Sequence, residues 1–363
     1  MTEVLYRKYR PQKFADVLGQ EQIVKVLEAQ VANGKISHAY LFAGTRGTGK
    51  TSVARILADA LGTTENDIYE IDAASNNGVD DIRALNDSVQ TLPFNSKYKI
   101  YILDEAHMLS KPAWNALLKT LEEPPGYVVF ILATTEIHKI PETVLSRCEV
   151  YTFKKPSIEI LKKDVQMIAK KEGFELSGES AELIALLGDG SFRDTLGILQ
   201  KIISATSRPA ADVALPSGSG LLNHKTSPTY PITDEEIRMV TGAPKRELVE
   251  SVISAISEKN LDKALSVVKV AQKENIDMSV FLKLILRSAR AILLLRFGAG
   301  NIVRDELSEK EFAFLDNLAK TDTVFSSQVL VELLTALDLA TGAHIASLPL
   351  ELALVNIIGQ NGK

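Results

Sequence analysis

Cysteine is nearly absent from this chain of 363 residues, which contains only Cys148. A single thiol cannot close a disulfide within the chain, and it cannot supply a cysteine-rich zinc site. The composition therefore fits a reducing compartment and excludes a fold that disulfides hold together.

Long apolar runs and a secretion signal are also missing. The most apolar short run is 291–295, which Arg290 and Arg296 flank, whereas a membrane-spanning helix needs about 20 apolar residues. The N-terminal sequence MTEVLYRKYRPQKF lacks the apolar core of a signal peptide. We expect a cytoplasmic protein with no membrane partner.

Neither sign of charge dominates, because the net charge is −5 and the pI is near 5.7. Bulk charge therefore indicates no strongly charged partner, although local patches and helix N-termini can still hold phosphates. The length predicts two or three domains, and the hydrophobic fraction of 45% is ordinary for a folded protein with a core.

Short apolar strands alternate with helical stretches in the first part of the chain, which is typical of a parallel sheet with helices on both faces. The predicted strands are 39–43, 68–73, 99–104, 128–134 and 149–153. The predicted helices between them are 51–61, 80–92, 111–121 and a short one around 142–146.

The strand pattern stops near Pro156, and helical periodicity follows to the end of the chain. Helices are predicted at 158–171, 178–187 and 192–205, and Thr233 is a candidate N-cap with Glu236 three residues later. We predict an α/β nucleotide-binding domain at 1–155, a helical lid at 156–240 and an all-helical collar at 241–363. The segment 207–231, rich in Pro, Ser, Gly and Thr, is expected to be a loop or disordered insertion.

The segment 44–51, GTRGTGKT, fits the phosphate-binding pattern G-x-x-x-x-G-K-[ST] and lies between a predicted strand and a predicted helix. Its glycines let backbone N–H groups turn towards a phosphate, and the helix N-terminus adds positive potential. Lys50 would neutralise the β- and γ-phosphate oxygens, and Thr51 would hold Mg²⁺. The predicted phosphate-binding residues are Gly44, Thr45, Arg46, Gly47, Thr48, Gly49, Lys50, Thr51 and Ser52.

Two further strand ends carry polar residues that complete such a site. Asp104 and Glu105 follow an apolar strand, where Asp104 would hold Mg²⁺ and Glu105 would act as the general base on water. Thr134 and Thr135 end the next strand and offer a hydroxyl near the γ-phosphate. His107 lacks further ligands at metal-binding spacing, so we expect it to be structural.

The order of these motifs resembles the AAA+ superfamily, and the Ser-Arg-Cys trio 146–148 resembles its clamp-loader branch. The segments 70–79, EIDAASNNGV, and 113–125, AWNALLKTLEEPP, are similar to the bacterial γ/τ subunit family of DNA polymerase III. The resemblance is dense over 4–205 and covers 233–360 only as a helical region of suitable length. No Asn-Lys-x-Asp motif of a GTPase is found in the sequence.

The resemblance implies roles for residues outside the phosphate loop. Arg147 corresponds to an arginine finger that reaches a neighbouring subunit's ATP in trans, and Arg193 to a lid arginine on the chain's own γ-phosphate. Thr135 corresponds to the γ-phosphate sensor, with Thr134 as the alternative. The adenine would be framed by Tyr9, Arg10, Pro11 and Val17. Residues 75–78, SNNG, are a candidate for binding a DNA phosphate through backbone N–H groups.

The resemblance further implies ATP and Mg²⁺ as ligands and a pentameric ring with copies of the chain and with δ- and δ′-type subunits. It implies a sliding clamp and primer–template DNA as partners in the bacterial replisome at the nucleoid. The family usually has a four-cysteine zinc module where this chain has only 62–67, so no zinc is expected. The resemblance also implies that the sequence ends with the helical collar, before the position of the long C-terminal tail of τ-type subunits. Two alternatives remain open, a branch-migration type of AAA+ motor and a scaffold subunit that does not hydrolyse ATP.

Overall fold

The computed structural model describes residues 3–206, 230–304, 307–321, 324–340 and 342–359. Within these, the chain forms two compact units. The first contains the described residues up to Lys201 together with Tyr230, and the second contains 202–206 and the described residues from Pro231 onward.

A five-stranded parallel sheet organises the first unit, with the strand order β2-β3-β4-β1-β5. The strands are β1 (Ala39–Ala43), β2 (Ile68–Asp72), β3 (Lys99–Asp104), β4 (Val128–Thr134) and β5 (Glu149–Thr152). Parallel strands of this kind are buried on both faces, and every residue of β1 and β4 is buried.

Alternate side chains of each strand enter two separate cores. Ala39 and Leu41 of β1 pack with the helix residues Ile82 and Trp114 on one face. Tyr40 and Phe42 pack with Val53, Leu57 and Leu27 on the opposite face. The helices that cover the sheet are α2 (Glu21–Asn33), α3 (Lys50–Ala60), α4 (Val79–Val89), α5 (Lys111–Glu122) and α6 (Glu142–Leu145), and α1 (Leu5–Lys8) precedes them.

Three helices complete the first unit after the sheet, namely α7 (Ile158–Lys171), α8 (Gly178–Leu187) and α9 (Phe192–Ala205). Serine side chains cap two of them, because Ser157 accepts from the N–H of Ile160 and Ser177 from that of Ser180. The two units divide within α9.

The second unit is helical and has one apolar core of its own, to which Ile253, Phe281 and Leu333 contribute. The predicted capping box at Thr233 is confirmed, since Thr233 and Glu236 exchange the two capping hydrogen bonds. The helices are α10 (Asp234–Thr241), α11 (Arg246–Ser257), α12 (Leu261–Lys273), α13 (Met278–Arg296), α14 (Gly300–Arg304), α15 (Glu309–Thr321), α16 (Ser327–Ala340) and α17 (Leu348–Gly359).

The predicted fold class is confirmed, and the differences are local. The expectation that strands stop near Pro156 is wrong, because β6 (Phe174–Glu175) pairs with β7 (Tyr230–Pro231) in a second sheet. Strands of two residues are too short to leave an alternating pattern. Helix α2 was not predicted. Residues 207–229 of the expected insertion lie outside the described residues, and its last two residues form β7.

Candidate nucleotide-binding site

The phosphate-binding loop lies at the carboxyl ends of the central strands. β1 is hydrogen-bonded between β4 and β5, and its last residue, Ala43, stands beside Thr134 and Thr152. Asp104 at the end of β3 stands beside Asp72 of β2. Since ligands of open parallel sheets bind beyond the carboxyl ends of the strands, the predicted motifs meet at the expected edge.

Lys50 is the first residue of α3 and is 6% exposed. Its ammonium donates hydrogen bonds to the carbonyl oxygens of Gly44 and Thr45, at 2.7 and 2.9 Å. Burial lowers the pKa of Lys50, and the negative charges of Glu105 and Asp104 oppose that shift. The loop is thus wrapped around a buried cation, which is the arrangement that a polyphosphate chain requires.

Gly47 joins the phosphate-binding loop to the lid helix α9. Its carbonyl accepts from the N–H of Phe192 at 3.0 Å, and its φ of +74° lies in the left-handed region. A Cβ at Gly47 would collide with the side chain of Ser191 and would lie 3.4 Å from the Cβ of Arg193. Only glycine allows the lid to approach the loop this closely.

The proposed magnesium ligands are in direct contact with each other. Thr51 donates from its hydroxyl to Oδ2 of Asp104 at 2.9 Å, and the N–H of Glu105 donates to Oδ1 at 3.0 Å. A hydroxyl and a carboxylate held together in this way suit an oxygen-binding cation such as Mg²⁺. Within the described residues, no group of three or more His, Cys, Asp and Glu could hold a metal ion by itself. The absence of zinc stays a prediction.

Glu105 adopts an uncommon backbone conformation for a non-glycine residue, with φ +48°. Such positions cost about 1–3 kcal/mol and cluster at functional sites. Its Oε2 accepts from the hydroxyl of Thr135 at 3.1 Å and lies 3.4 Å from Nδ1 of His107. The hydroxyl of Thr135 therefore contacts the candidate base directly.

Thr134 is oriented differently and is fully buried. Its hydroxyl accepts from the N–H of Glu136 at 3.0 Å and lies 3.2 Å from Nδ1 of His107. Thr134 therefore supports the strand end and the histidine, which leaves Thr135 as the better candidate for the γ-phosphate sensor. The imidazole of His107 is buried beside Glu105 and Glu136, and its structural role stays a prediction.

A cavity of about 690 Å³ extends from the loop along the N-terminal segment and the lid helices, a volume typical of small-molecule sites. Most of the predicted residues line it, namely 9–11, Val17, 46–52, 104–105 and Arg193. Gly44, Thr45, Thr135 and Arg147 are not among the lining residues. The carbonyls of Gly44 and Thr45 instead accept from Lys50, and the hydroxyl of Thr135 donates to Glu105.

Arg193 lies at the start of α9, and its guanidinium stands 5.0 Å from the centre of the Tyr6 ring. This contact keeps the guanidinium at the cavity. Arg193 forms no ion pair with an acidic residue in the described part of the chain. Tyr6 was not predicted as a site residue, because an aromatic residue near the N-terminus carries no motif of its own.

Helix α7 supplies lining residues that sequence reasoning missed. Asp164, Met167, Ile168 and Lys171 line the cavity at a spacing that places them on one helix face. Burial raises the pKa of the Asp164 carboxyl to about 6, and the charge of Lys171 acts against that shift. The helical spacing was visible in the sequence, but the surface that this face covers was not.

Arg147 follows α6 and is not among the residues that line the cavity. Its guanidinium donates to Oε1 of Glu122 and to the carbonyl of Thr143, both at 2.5 Å. Burial raises the pKa of the half-buried thiol of its neighbour Cys148 to about 12, which disfavours the reactive thiolate. The role of Arg147 in trans stays a prediction.

The turn 75–78 was a candidate for binding DNA through backbone N–H groups, and part of that expectation is wrong. The N–H of Gly78 donates to Oδ2 of Asp81 at 3.0 Å, so it is not free for a phosphate. The side chain of Asn76 donates to the carbonyl of Asp72 at 3.1 Å. The N–H groups of Ser75 and Asn76 donate to the carbonyl of Asp72 at 3.1 and 3.0 Å. The side chains of Ser75, Asn76 and Asn77 are exposed.

Known proteins resemble this chain over most of its described length. A family model described as "DNA polymerase III, delta subunit" matches residues 19–78 and 62–157. The DNA polymerase III subunit tau of Bacillus subtilis is 38% identical over 319 residues, which are 82% of this chain and 53% of that protein. The corresponding tau subunit of Escherichia coli is 34% identical over 336 residues, 86% of this chain and 49% of that protein.

The chain belongs to the γ/τ family of DNA polymerase III subunits. It spans about half the length of the relatives just named, 53% and 49%. A shorter relative is the DNA polymerase III subunit gamma of Buchnera aphidicola subsp. Baizongia pistaciae. It is 40% identical over 222 residues, which are 55% of this chain and 60% of that protein.

The fold of this γ/τ family member is that of an AAA+ ATPase followed by a helical C-terminal region. A solved structure of the Thermotoga maritima RuvB Holliday junction branch migration motor has a TM-score of 0.51 and 19% sequence identity. The match covers 77% of this chain and 91% of RuvB, and at this identity it bears on the fold alone. No helix in the described ranges is long and apolar enough to cross a membrane.

Proposed function

We propose that this chain is the ATP-hydrolysing subunit of a clamp loader, which uses ATP to place a sliding clamp on primer–template DNA. The observation that carries the proposal is the convergence of Lys50, the Thr51–Asp104 pair and Glu105 on one cavity that the lid helix α9 also lines. The names of the relatives, subunits of DNA polymerase III, support replication as the process.

The phosphate end of the cavity has the groups that ATP binding needs. When ATP binds, the ammonium of Lys50 would donate to the β- and γ-phosphate oxygens in place of the loop carbonyls. The phosphate charge would then compensate the buried positive charge, which neutral carbonyls do less well. The N–H groups of 46–52 and the N-terminus of α3 would hold the β-phosphate. Thr51 and Asp104 would hold Mg²⁺, which neutralises the charge that develops on the transferred phosphoryl group.

Hydrolysis requires a base and an oriented water, and we assign these roles to neighbouring side chains. Glu105 takes the proton of the attacking water, and its carboxylate is already fixed by the hydroxyl of Thr135. Thr135 is the proposed sensor of the γ-phosphate. Arg193 reaches the same phosphate from α9, so that closing the lid adds a positive charge to the site.

Arg147 is the proposed trans arginine finger. An always-charged forked guanidinium suits the negative charge of a transferring phosphoryl group, and such residues contribute about 10³–10⁵ in rate. Its hydrogen bonds to Glu122 and to the carbonyl of Thr143 fix the side chain in place before a neighbour arrives. The consequence is that hydrolysis depends on assembly.

The assembly proposed from the resemblance is a pentameric ring of copies of this chain with δ- and δ′-type subunits, joined through helical collars. The division into a nucleotide-binding domain, a lid and a collar remains part of this proposal. ATP would bind the clamp-opening arrangement better than the relaxed one, and DNA would then trigger hydrolysis and release of the closed clamp.

The test is ATP hydrolysis by complexes reconstituted with δ- and δ′-type subunits, with and without clamp and primed DNA. Wild-type chain should be stimulated strongly by clamp plus DNA, and Arg147→Ala should lose about 10³-fold or more of that rate. Arg246→Ala is the matched control, because Arg246 is similarly exposed and also forms one ion pair, with Glu250 at 2.5 Å.

Each alternative has its own result in that assay. Basal hydrolysis that ignores clamp, DNA and Arg147 would indicate another AAA+ motor, such as a branch-migration type. No hydrolysis under any condition, with nucleotide still bound, would indicate a scaffold subunit.

A further inference from the structure

Asp164 is a buried acidic side chain in the wall of the cavity, and it has no role in the proposed binding or hydrolysis of the phosphates. The residue is 8% exposed and lines the cavity from α7. Its carboxyl has no hydrogen bond and no ion pair within the described residues. Burying such a group costs free energy unless a donor satisfies it, so its position calls for a partner.

The position of Asp164 along α7 fixes which end of the cavity it faces. One turn before it, Ile160 lies against Gly19, where its Cδ1 is 3.3 Å from the place a Cβ would take. Two turns after it, the ammonium of Lys171 stands 5.5 Å from the centre of the Tyr9 ring. This face of α7 therefore runs along 9–19, and Asp164 faces the middle of that segment.

The phosphate end is approached by a different helix. The start of α9 contacts the phosphate-binding loop through Phe192 and Gly47 at 3.0 Å, and Arg193 supplies its cation there. A further carboxylate near the phosphates would repel them, whereas Pro11, Ala15 and Val17 give this part of the lining an apolar surface that suits a flat base. Asp164 thus belongs to the base end of the cavity.

We propose that Asp164 recognises adenine by accepting a hydrogen bond from its exocyclic 6-amino group. This inference rests on the proposed ATP-binding function and names the residue that reads the base. The 6-amino group of adenine is a donor, whereas guanine has an acceptor oxygen at that position. A buried carboxylate therefore gains a partner from adenine and meets an oxygen lone pair from guanine.

The surrounding charges agree with this role. Burial raises the pKa of Asp164 to about 6, and Lys171, two turns later on the same helix face, is the cation that partly opposes the shift. A donor placed on the carboxylate would compensate the burial. Lys163 and Lys171 line the same cavity, but neither forms an ion pair with Asp164.

The test compares the binding of ATP with that of purine riboside triphosphate, which carries hydrogen in place of the 6-amino group. Wild-type chain should bind ATP about tenfold or more tightly, as expected for one hydrogen bond to a charged group. In Asp164→Ala this preference should fall to about twofold or less. Glu159→Ala, on the same helix but outside the cavity lining, should keep the wild-type preference.

The outcomes separate this inference from the proposed function. If neither triphosphate binds wild-type chain, the proposed function fails. If both bind wild type equally, or if Asp164→Ala keeps the full preference, ATP binding stands and the assignment of Asp164 is overturned. A parallel titration with 2′-deoxy-ATP guards against a ribose contact, because a preference for ATP over it that disappears in Asp164→Ala would move the carboxyl to the sugar. The wild-type comparison needs no variant to fold.

Discussion

The buried carboxyl of Asp164 should destabilise the unliganded fold at neutral pH. Its pKa is about 6 in the folded chain against its ordinary value of 3.8, so the folded state holds the proton more tightly than the unfolded state does. The difference of about 2 pKa units corresponds to about 3 kcal/mol, since one unit is 1.36 kcal/mol. The free energy of unfolding is therefore lower above pH 6 than below pH 4 by about this amount.

Replacing Asp164 by Asn removes the titrating charge and keeps the shape of the side chain. We expect Asp164→Asn to raise the free energy of unfolding by up to about 3 kcal/mol at pH 7.5. About half of that gain should remain at pH 5, and most of it should be gone at pH 4. The window follows from the two pKa values, because the penalty develops as pH rises from 3.8 to about 6.

Urea unfolding followed by tryptophan fluorescence measures this difference. Trp114 is the only tryptophan in the chain, is 3% exposed and belongs to the core under the sheet of the first unit. Its signal therefore reports on the unit that contains Asp164. A difference between wild type and Asp164→Asn that is the same at pH 7.5 and pH 4 would refute the reasoning.

Three further predictions concern positions outside this helix. Gly47→Ala should weaken ATP binding about tenfold or more, because it adds left-handed strain and a collision with the lid, and Gly49→Ala, with no atom within 4 Å of the new Cβ, should lose less. Asp67→Asn should lower the free energy of unfolding by about 2 kcal/mol at pH 7 and by less at pH 2–3. The reason is that burial raises the pKa of the Asp67 carboxyl, but four hydrogen bonds from residues 94–96 outweigh the effect of burial and lower this pKa to about 2. Replacing Asn76 and Asn77 by Asp should weaken binding of primed DNA by the assembled complex, and unchanged binding would remove this turn from the DNA interface.

The sheet and the phosphate site could be predicted because their signals are local in sequence. Each strand is a short apolar run between turn residues, and the loop 44–51 is a motif whose flanking strand and helix could be checked directly. The helices at 158–171, 178–187 and 192–205 have the bounds that were predicted, since serine caps and glycine breaks mark most of their ends.

The remaining features depend on contacts between distant segments. Asp164 looks like an ordinary polar helix residue until the fold sets its face against 9–19. The difference between Thr134 and Thr135 lies in which of two adjacent hydroxyls faces Glu105. The role of Asp67 could not be predicted for the same reason. Its carboxylate accepts from the backbone N–H groups of 94–96, which are distant in sequence.

The central claim is that Arg147 of one chain completes the ATP site that contains Glu105 in its neighbour. Complexes assembled from an equal mixture of Glu105→Gln and Arg147→Ala chains test it most directly, by their hydrolysis of ATP in the presence of clamp and primed DNA. Each variant alone should be nearly inactive, and the mixture should regain a substantial part of the wild-type rate, because some interfaces join an intact Arg147 to an intact Glu105. A mixture no more active than either variant alone would contradict a site shared between subunits.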